Sequence, residues 1–450
     1  MTSGVDPMRS LNSLLNRLEL DEYRVPPAQI YGKLVRVTGL LLEVTGCPLS
    51  IGQRALVEVG KESWLETEVV GFNQDRTFLM PLEQVTGLFP GARVSPQEGD
   101  SELVVGPALL GRILDGLGRP LDGLGPLEGE RISLHQPPLN PLERQPIKTP
   151  LDVGVKAING ILPLGRGQRI GLFAGSGVGK SVLLSMMTRF TDADVVVVGL
   201  IGERGREVAE FLQHTLGEEG RRKAVVVVAP ADVSPLLRLR ASQVCHRIAE
   251  SFRDRGKHVL LLMDSLTRYA IAQREIALSL GEPPATKGYP PSVFTQLPQL
   301  VERAGNGYNS EGSLSAIYTV LVEGDDHNDP IADAARAILD GHIVLRRDIA
   351  EQGIYPAIDV SASASRVIPL ICSAAQIRQI QQFRRYYSLY QQVRELIPLG
   401  GYQAGHDEEM DKAVTLFPQM LEYLQQSSRQ GANLQQTQAL LQELMEAGNK

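Results

Sequence analysis

Hydrophobic positions divide the 450-residue chain into regions of different pattern. Residues 26–105 contain short Val- and Leu-rich runs such as KLVRVTGLLLEV and QRALVEV, separated by Gly and Pro. Runs of this length and composition, with turn residues between them, predict a small β-barrel domain. The next stretch, 106–150, is rich in Gly and Pro and is predicted to be a looped connector.

From residue 151 to 373 strand patterns alternate with helix patterns. The strand candidates are RIGLF, DVVVVGLI, AVVVVAP, HVLLLMD, SAIYTVLVEG and HIVLRR. Such near-continuous aliphatic runs are typical of parallel strands buried on both faces. The clearest helix, SPLLRLRASQVCHRIAESF, has Ser234 as a candidate N-cap. The alternation predicts an α/β fold with an open, doubly wound, mostly parallel sheet that binds ligands at the carboxyl ends of its strands.

The two ends of the chain are predicted to be helical. Residues 374–450 are Gln-rich with helical periodicity and are predicted to form a C-terminal helical domain. Residues 1–25 are predicted to form an amphipathic helix, whose apolar face could pack on its own domain. One face of this helix would carry the apolar residues Met8, Leu11, Leu14, Leu15 and Leu18.

Composition narrows the class of protein. Lys and Arg number 45 against 52 Asp and Glu, which gives a net charge of −7 and argues against nucleic-acid binding. The three cysteines are far apart and form no C-x-x-C pair, which suggests a reducing compartment without disulfides or zinc. No run approaches the ~20 apolar residues of a membrane span. We therefore expect a cytoplasmic protein whose membrane contact is peripheral.

The sequence RIGLFAGSGVGKSVLL, around residues 174–181, has the order of a phosphate-binding loop: strand, Gly-rich turn, Lys-Ser pair, helix. Main-chain N–H groups can wrap a phosphate, Lys180 can bridge β- and γ-phosphate oxygens, and Ser181 can ligate Mg²⁺. The first position departs from the Gly of the usual pattern and is Ala174. The alternative is a Gly-rich turn that only joins strand to helix. The candidate nucleotide-binding residues are Gly175, Ser176, Gly177, Val178, Gly179, Lys180 and Ser181.

Two acidic residues come at the ends of predicted strands. Asp264 ends HVLLLMD, where a carboxylate can hold the hydration shell of Mg²⁺, although it could instead cap the following helix. Glu203 follows DVVVVGLIG and could orient the water that attacks the γ-phosphate. Because Arg204 and Arg206 flank it, a solvated salt-bridge cluster is the alternative.

Several longer segments resemble one family. AGSGVGKS, GLIGERGREV, LLLMDSLTRYA, GEPPATKGYPPSVFTQLPQLVERAG, VEGDDHNDPIADAARAILDGHIVL and YPAIDVSASASR are similar to the F1/V1-type rotary ATPase superfamily, and within it to the type III protein-export ATPases. The N-terminal segment GKLVRVTGLLLEVTGCPLSIGQ looks closest to the flagellar members. This resemblance implies a RecA-like P-loop NTPase core over 106–373 between the β-barrel and the C-terminal helices.

The resemblance also implies roles for individual residues. Glu203 would be the catalytic carboxylate, and Arg204 would contact the γ-phosphate. Arg366, which closes SASASR, would be an arginine finger inserted into the site of a neighbouring subunit. Tyr355 would pack on the adenine, and Tyr402 is a second candidate for that contact. For both tyrosines the alternative is ordinary packing in the core.

The function implied is Mg²⁺-dependent ATP hydrolysis by a homohexameric ring that drives protein export for flagellar assembly. The implied partners are a stator-like regulatory protein at the N-terminus, a central-stalk protein, membrane proteins of the export gate, and export chaperones with their substrates. Alternatives are a virulence-system export ATPase, a catalytic subunit of an ion-pumping rotary ATPase, an RNA-translocating ring and a non-enzymatic ring subunit. The implied location is the cytoplasm, with peripheral attachment to the inner face of the bacterial membrane.

Overall fold

The computed structural model describes residues 30–60, 63–97, 101–137, 140–307, 312–322 and 329–448. Of these, 30–80 and 85–97 form one compact unit, and 81–84 with the residues from 101 onward form a second. The predicted N-terminal amphipathic helix, 1–25, lies outside the described residues.

The first unit is a closed β-barrel, as the short Val- and Leu-rich runs separated by Gly and Pro predict. Its strands follow the order β1, β2, β5, β4, β3, β6. The neighbouring strands β1 and β2, β1 and β6, β2 and β5, β3 and β4, and β3 and β6 pair antiparallel. Inward-facing side chains such as Leu34, Val57 and Val94 are fully or almost fully buried in its core. The strands are β1 (Gly32–Thr38), β2 (Leu41–Thr45), β3 (Arg54–Val59), β4 (Ser63–Asn73), β5 (Arg76–Pro81) and β6 (Arg93–Pro96).

The second unit is built on a mostly parallel sheet. In chain order its strands are β7 (Glu102–Val105), β8 (Ile113–Asp115), β9 (Glu130–Ser133), β10 (Pro150–Leu151), β11 (Leu164–Gly165), β12 (Arg169–Ala174), β13 (Val195–Ile201), β14 (Ala224–Ala229), β15 (His258–Asp264), β16 (Gly305–Asn306), β17 (Ser313–Leu321), β18 (Gly341–Leu345) and β19 (Ala364–Ser365). The main sheet runs in the order β19, β18, β12, β17, β15, β13, β14, β8. Strands β18 to β8 of this order are parallel, whereas β19 pairs antiparallel at the edge.

Alternate side chains of each strand enter separate cores on the two faces of this sheet. Val196 and Val198 lie in one core, whereas Val195 and Val197 lie in the other. A strand buried on both faces needs apolar side chains at every position, which explains the continuous aliphatic runs of the sequence. The predicted α/β fold class is confirmed.

Three strands of this sheet, β8, β16 and β19, were not predicted. β8 lies inside the Gly- and Pro-rich stretch 106–150, and it pairs in parallel with residues 226–228 of β14. Local composition favours a loop there, but β14 would otherwise present unpaired backbone groups, and β8 satisfies them.

Helices cover both faces of the sheet. They are α1 (Lys156–Ile161), α2 (Lys180–Phe190), α3 (Gly205–Glu210), α4 (Gly217–Arg222), α5 (Pro235–Asp254), α6 (Leu266–Ser279), α7 (Pro291–Val301), α8 (Pro330–Ile338), α9 (Arg347–Glu351), α10 (Ile368–Ile371), α11 (Ala374–Val393), α12 (Glu408–Leu424) and α13 (Leu434–Ala447). The predicted N-cap of α5 is confirmed, because the Ser234 side chain accepts a hydrogen bond from the Leu237 N–H. In the described part of the chain, no helix has the length and apolar character needed to cross a membrane.

The C-terminal helices join the core of the second unit. α11 starts with a capping box between Ser373 and Gln376. Buried residues of α11, α12 and α13, including Phe383, Met420 and Leu441, belong to the same apolar core as one face of the sheet. The helical region is therefore packed against the core rather than tethered to it.

A buried imidazole marks the other face of the sheet. His246 of α5 is fully buried; its Nδ1 donates to the Ser242 carbonyl at 2.8 Å, so Nε2 accepts from the Tyr318 hydroxyl at 2.9 Å. This network satisfies the neutral ring completely. Burial, reinforced by the positive charge of Arg303, lowers the pKa of His246 to about 3.

We predict an acid-dependent loss of stability that His246 causes. In the unfolded chain this imidazole is protonated below the ordinary histidine pKa of about 6.5. In the native state His246 is protonated only near pH 3. The contribution of the neutral, buried His246 to the free energy of unfolding is therefore complete above pH 6.5 and declines as the pH falls. Between pH 7.5 and 5.0 the free energy of unfolding should fall by about 2 kcal/mol more in the wild type than in His246→Gln.

Urea unfolding at the two pH values measures this difference. His135→Gln, at an exposed position, is the matched control and should lose stability with the wild-type pH dependence. Equal losses in wild type and His246→Gln would contradict the prediction.

Candidate functional site

The predicted phosphate loop lies between β12 and α2 at the carboxyl edge of the sheet. β12 ends at Ala174 and α2 begins at Lys180, so the first backbone N–H groups of an 11-residue helix face the loop. Gly177 and Gly179 have φ angles of 79° and 92°, a left-handed conformation that favours glycine. The turn therefore adopts a shape that favours these glycines, and a Gly-rich turn before a helix N-terminus is suited to binding an anion such as phosphate.

The unusual first position of the loop has a simple structural reason. Ala174 is the last residue of β12 and pairs with Leu321 on one side and Leu345 on the other. A residue in extended strand conformation does not need the freedom of glycine. The loop proper starts one residue later, so Ala174 does not disturb it.

Lys180 is held by two carboxylates. Its Nζ donates to Asp264 Oδ1 at 2.6 Å and to Glu203 Oε1 at 3.1 Å. Burial opposes the charge of this ammonium, but the Asp264 and Glu203 carboxylates outweigh that effect and raise the pKa of Lys180 above its ordinary value. The structure thus brings together three predicted site residues as one buried ionic cluster.

Strand ends position both acids. Asp264 is the last residue of β15, and Glu203 follows β13, the neighbouring strand; their side chains are 4% and 10% exposed. The cap of α6 is Ser265, whose side chain accepts from the Arg268 N–H, so Asp264 is free of the capping role. Asp264 and Glu203 are both oriented toward Lys180 at the phosphate loop.

The side chains of the two arginines that flank Glu203 are exposed to solvent. Arg204 is 75% exposed and lies 3.7 Å from Glu207, and Arg206 lies 3.6 Å from Glu210. The salt-bridge cluster suggested as an alternative therefore exists for the arginines, whereas Glu203 turns inward to Lys180.

A cavity of about 470 Å³ opens over the loop. Its lining contains the Ser181 side chain, Glu203, Arg204 and Arg268. Arg268 was not selected from the sequence, although it stands in the first turn of α6, four positions after Asp264. Its Nε is buried without a hydrogen-bond partner among the described residues. Because Arg268 and Lys180 both line this cavity, their positive charges favour an anionic ligand such as a phosphate.

The residues present fit a magnesium ion bound together with a nucleotide. Mg²⁺ takes few protein ligands and keeps waters and phosphate oxygens in its shell. Ser181 offers an exposed hydroxyl at the start of α2, and Asp264 offers a carboxylate at the adjacent strand end. In the described part of the chain no cluster of three or more His, Cys, Asp or Glu side chains forms a metal cage, so a phosphate would complete such a site.

The remaining predicted residues lie around this centre or away from it. Tyr355 is beside the loop, because a Cβ added to Gly179 would lie 3.6 Å from its ring, and the ring is about half exposed. Tyr402 instead donates to Asp411 at 2.6 Å near the start of α12. Arg366 is exposed just after β19 and is not among the described residues that line the cavity over the loop of its own chain.

Comparison with known proteins decides the family. Residues 154–365 match the ATP synthase alpha/beta family nucleotide-binding domain, and residues 372–443 match the T3SS EscN ATPase C-terminal domain. A flagellum-specific ATP synthase of Salmonella typhimurium is 57% identical over 92% of this chain and 93% of its own length. The chain belongs to the ATP synthase alpha/beta family, in its flagellum-specific branch.

Other members are similar over comparable lengths. The flagellum-specific ATP synthase of Pseudomonas aeruginosa is 56% identical over 94% of this chain and 95% of its own. The SPI-2 type 3 secretion system ATPase of Salmonella typhimurium is 46% identical over 92% and 95%. The structure of the assembled ATPase EscN from enteropathogenic E. coli matches with a TM-score of 0.84 and 43% identity, over 92% of this chain and 99% of EscN.

These findings confirm the predicted family, the fold class and the enzyme class. The protein is an ATP-binding ATPase related to flagellar and type III secretion ATPases. Its identity to the flagellum-specific enzymes of Salmonella typhimurium and Pseudomonas aeruginosa, 57% and 56%, is higher than the 46% to the SPI-2 ATPase, which agrees with the resemblance of the N-terminal segment.

We predict that Lys180→Ala abolishes tight ATP binding. Two charge-assisted hydrogen bonds to phosphate would be lost, which corresponds to at least about a 100-fold lower affinity. Titration with a fluorescent ATP analogue measures this. Lys223→Ala is the matched control, because the Lys223 ammonium donates to the Thr191 carbonyl away from the loop. Wild-type affinity in Lys180→Ala would refute the assignment of the loop.

Proposed function

We propose that this chain forms a homohexameric ring that hydrolyses ATP with Mg²⁺ to energise type III protein export for flagellar assembly. The observation that carries the proposal is the ammonium of Lys180 held between Glu203 and Asp264 at the mouth of a glycine-rich loop. This is the set of groups that phosphoryl transfer needs: a phosphate cradle, a cation, a carboxylate for the metal shell and a carboxylate for water.

Each group of the site has its own role in the proposed reaction. Main-chain amides of 175–179 and the N-terminus of α2 bind the phosphates, and Lys180 leaves its carboxylates to bridge phosphate oxygens. Ser181 and Asp264 would hold Mg²⁺, and the charge of the ion would neutralise charge on the phosphates. Glu203, freed from Lys180, accepts a hydrogen bond from the attacking water and aligns it.

The adenine contact is assigned to Tyr355. Its half-exposed ring beside Gly179 is well placed to cover a base, and its carbonyl accepts from the Gln426 N–H at 2.9 Å. Tyr402 is bound to Asp411 and is the weaker of the two candidates.

Arg366 supports a site shared between subunits. Its backbone N–H donates to the Asp340 carbonyl and its guanidinium to the Arg336 carbonyl at 3.1 Å. No carboxylate of the described residues forms an ion pair with it. An exposed arginine fixed through carbonyls keeps its charge available for the γ-phosphate of a neighbouring subunit, while Arg204 contacts the phosphate of its own.

Relatives support the ring and the export role. EscN has been solved as an assembled ATPase and in complex with its central stalk EscO. By analogy, this chain would bind a central-stalk protein, a stator-like protein through 1–25, and export-gate proteins, chaperones and substrates. It would work in the cytoplasm at the inner face of the membrane. The identities favour the flagellar system over the virulence system.

We predict that Glu203→Gln keeps ATP binding and loses hydrolysis. The amide still fits beside Lys180 but aligns water poorly, so kcat should fall about 100-fold or more while affinity stays within about threefold. Phosphate release and nucleotide titration measure the two quantities. Glu218→Gln, at an exposed site of α4, should behave as wild type. Unchanged hydrolysis in Glu203→Gln would exclude the assigned role.

A second prediction concerns Arg366. Arg366→Ala should lower kcat by about 1,000-fold, because an arginine finger stabilises charge in the transition state. Mixing Arg366→Ala with Lys180→Ala should restore part of the activity, since the second variant supplies fingers to intact sites of the first. Each variant alone, at the same total concentration, is the control. If the mixture stayed as inactive as its components, a finger acting in trans would be ruled out.

A further inference from the structure

A buried hydroxyl stands next to the metal-side carboxylate. Thr319 is fully buried in β17, and its Oγ1 donates to Asp264 Oδ1 at 2.6 Å. The same hydroxyl is 3.5 Å from the Met263 carbonyl, a much weaker contact. The carboxylate is therefore the true partner of this hydroxyl.

Sheet order places Thr319 between the two parts of the site. β17 lies between β12, which leads into the phosphate loop, and β15, which ends at Asp264. Thr319 pairs with Leu172 of β12, and the preceding Tyr318 pairs with Met263 of β15. A β-branched side chain in a central strand has little rotameric freedom, so the hydroxyl is held in place.

Two donors converge on one oxygen of Asp264. Lys180 Nζ and Thr319 Oγ1 each lie 2.6 Å from Oδ1. The other oxygen, Oδ2, accepts no hydrogen bond from the described residues. The carboxylate is thus clamped at Oδ1 and keeps Oδ2 open.

The hydrogen bond from Thr319 becomes important when the Lys180 ammonium moves away from Asp264. On the proposed function, on which this inference rests, Lys180 moves to the phosphates and Asp264 loses one of its two donors. Thr319 then remains as the donor that keeps the carboxylate from rotating. We infer that Thr319 is a positioning residue, which orients Asp264 so that Oδ2 faces the Mg²⁺ shell once nucleotide has displaced Lys180.

The test uses the full chain and three variants. Thr319→Val keeps the shape and removes the hydroxyl, Thr319→Ser keeps the hydroxyl, and Thr188→Val is the matched control. Thr188 is also fully buried, but its hydroxyl donates to the Leu184 carbonyl within α2. Binding of a fluorescent ADP analogue is titrated with MgCl₂ and, separately, in EDTA.

We expect Thr319→Val to need about 10-fold more Mg²⁺ for the same nucleotide affinity, as is usual when a residue orienting a metal ligand is lost. In EDTA its nucleotide affinity should equal that of the wild type, because the loop is intact. Thr319→Ser should stay within about threefold of wild type, and Thr188→Val should match it. When Mg²⁺ is limiting, the kcat of Thr319→Val should fall in proportion to this loss of Mg²⁺ affinity. It should recover when Mg²⁺ is in excess.

Two outcomes would overturn the inference: a wild-type Mg²⁺ titration in Thr319→Val, or equal impairment of Thr319→Val and Thr319→Ser, which would show a packing role. If circular dichroism shows that Thr319→Val does not fold, Thr319→Ala takes its place in the comparison with Thr319→Ser. The expected results and the outcomes that would overturn the inference stay the same. Failure of the wild type to bind nucleotide more tightly with Mg²⁺ would instead reject the proposed function.

Discussion

The site depends on one buried ion cluster, in which the Lys180 ammonium is shared by Asp264 and Glu203. A charge taken out of water costs several kcal/mol unless it is paired, so none of the three groups is stable alone in this position. The cluster has one cation for two anions and is therefore electrostatically unsaturated. On the proposed function, an incoming phosphate would compete for the ammonium, and Mg²⁺ would compensate the carboxylate that the ammonium leaves.

The sheet makes this exchange possible because the strands fix the acids and leave the lysine mobile. β12, β17, β15 and β13 are neighbours and all run parallel, so their carboxyl ends meet at one edge. Asp264 and Glu203 stand at short distances from rigid, doubly buried strands. Lys180 stands at the end of a long flexible side chain. Only the lysine can change partners without disturbing the core.

Much of this could be predicted because the signals are local. Continuous aliphatic runs revealed the buried parallel strands, and a strand-end acid needs no knowledge of strand order to be noticed, as with Asp264 and Glu203. Thr319 could not be found in this way, because in SAIYTVLVEG it looks like any β-branched strand residue. Its role follows from the insertion of β17 between β12 and β15, which is a property of topology.

Other gaps have similar physical causes. From the sequence, Asp264 could have been the cap of α6, and only the hydrogen bond from the Arg268 N–H to the Ser265 side chain shows that Ser265 provides it. The strand β8 is hidden in a Gly- and Pro-rich stretch because its reason for forming lies in the free edge of β14. Arg268 has no signal except its place in the first helical turn after Asp264, and its importance appears only when the structure shows that it lines the cavity over the loop.

The same sheet also gives a physical reason for a ring of identical subunits. The phosphate loop follows β12, and Arg366 follows β19, two strands further toward one edge. One chain therefore carries on the same sheet both the loop that would bind its own phosphate and the arginine proposed to serve a neighbour. In the proposed ring, identical subunits can complete every site, so no second subunit type is needed.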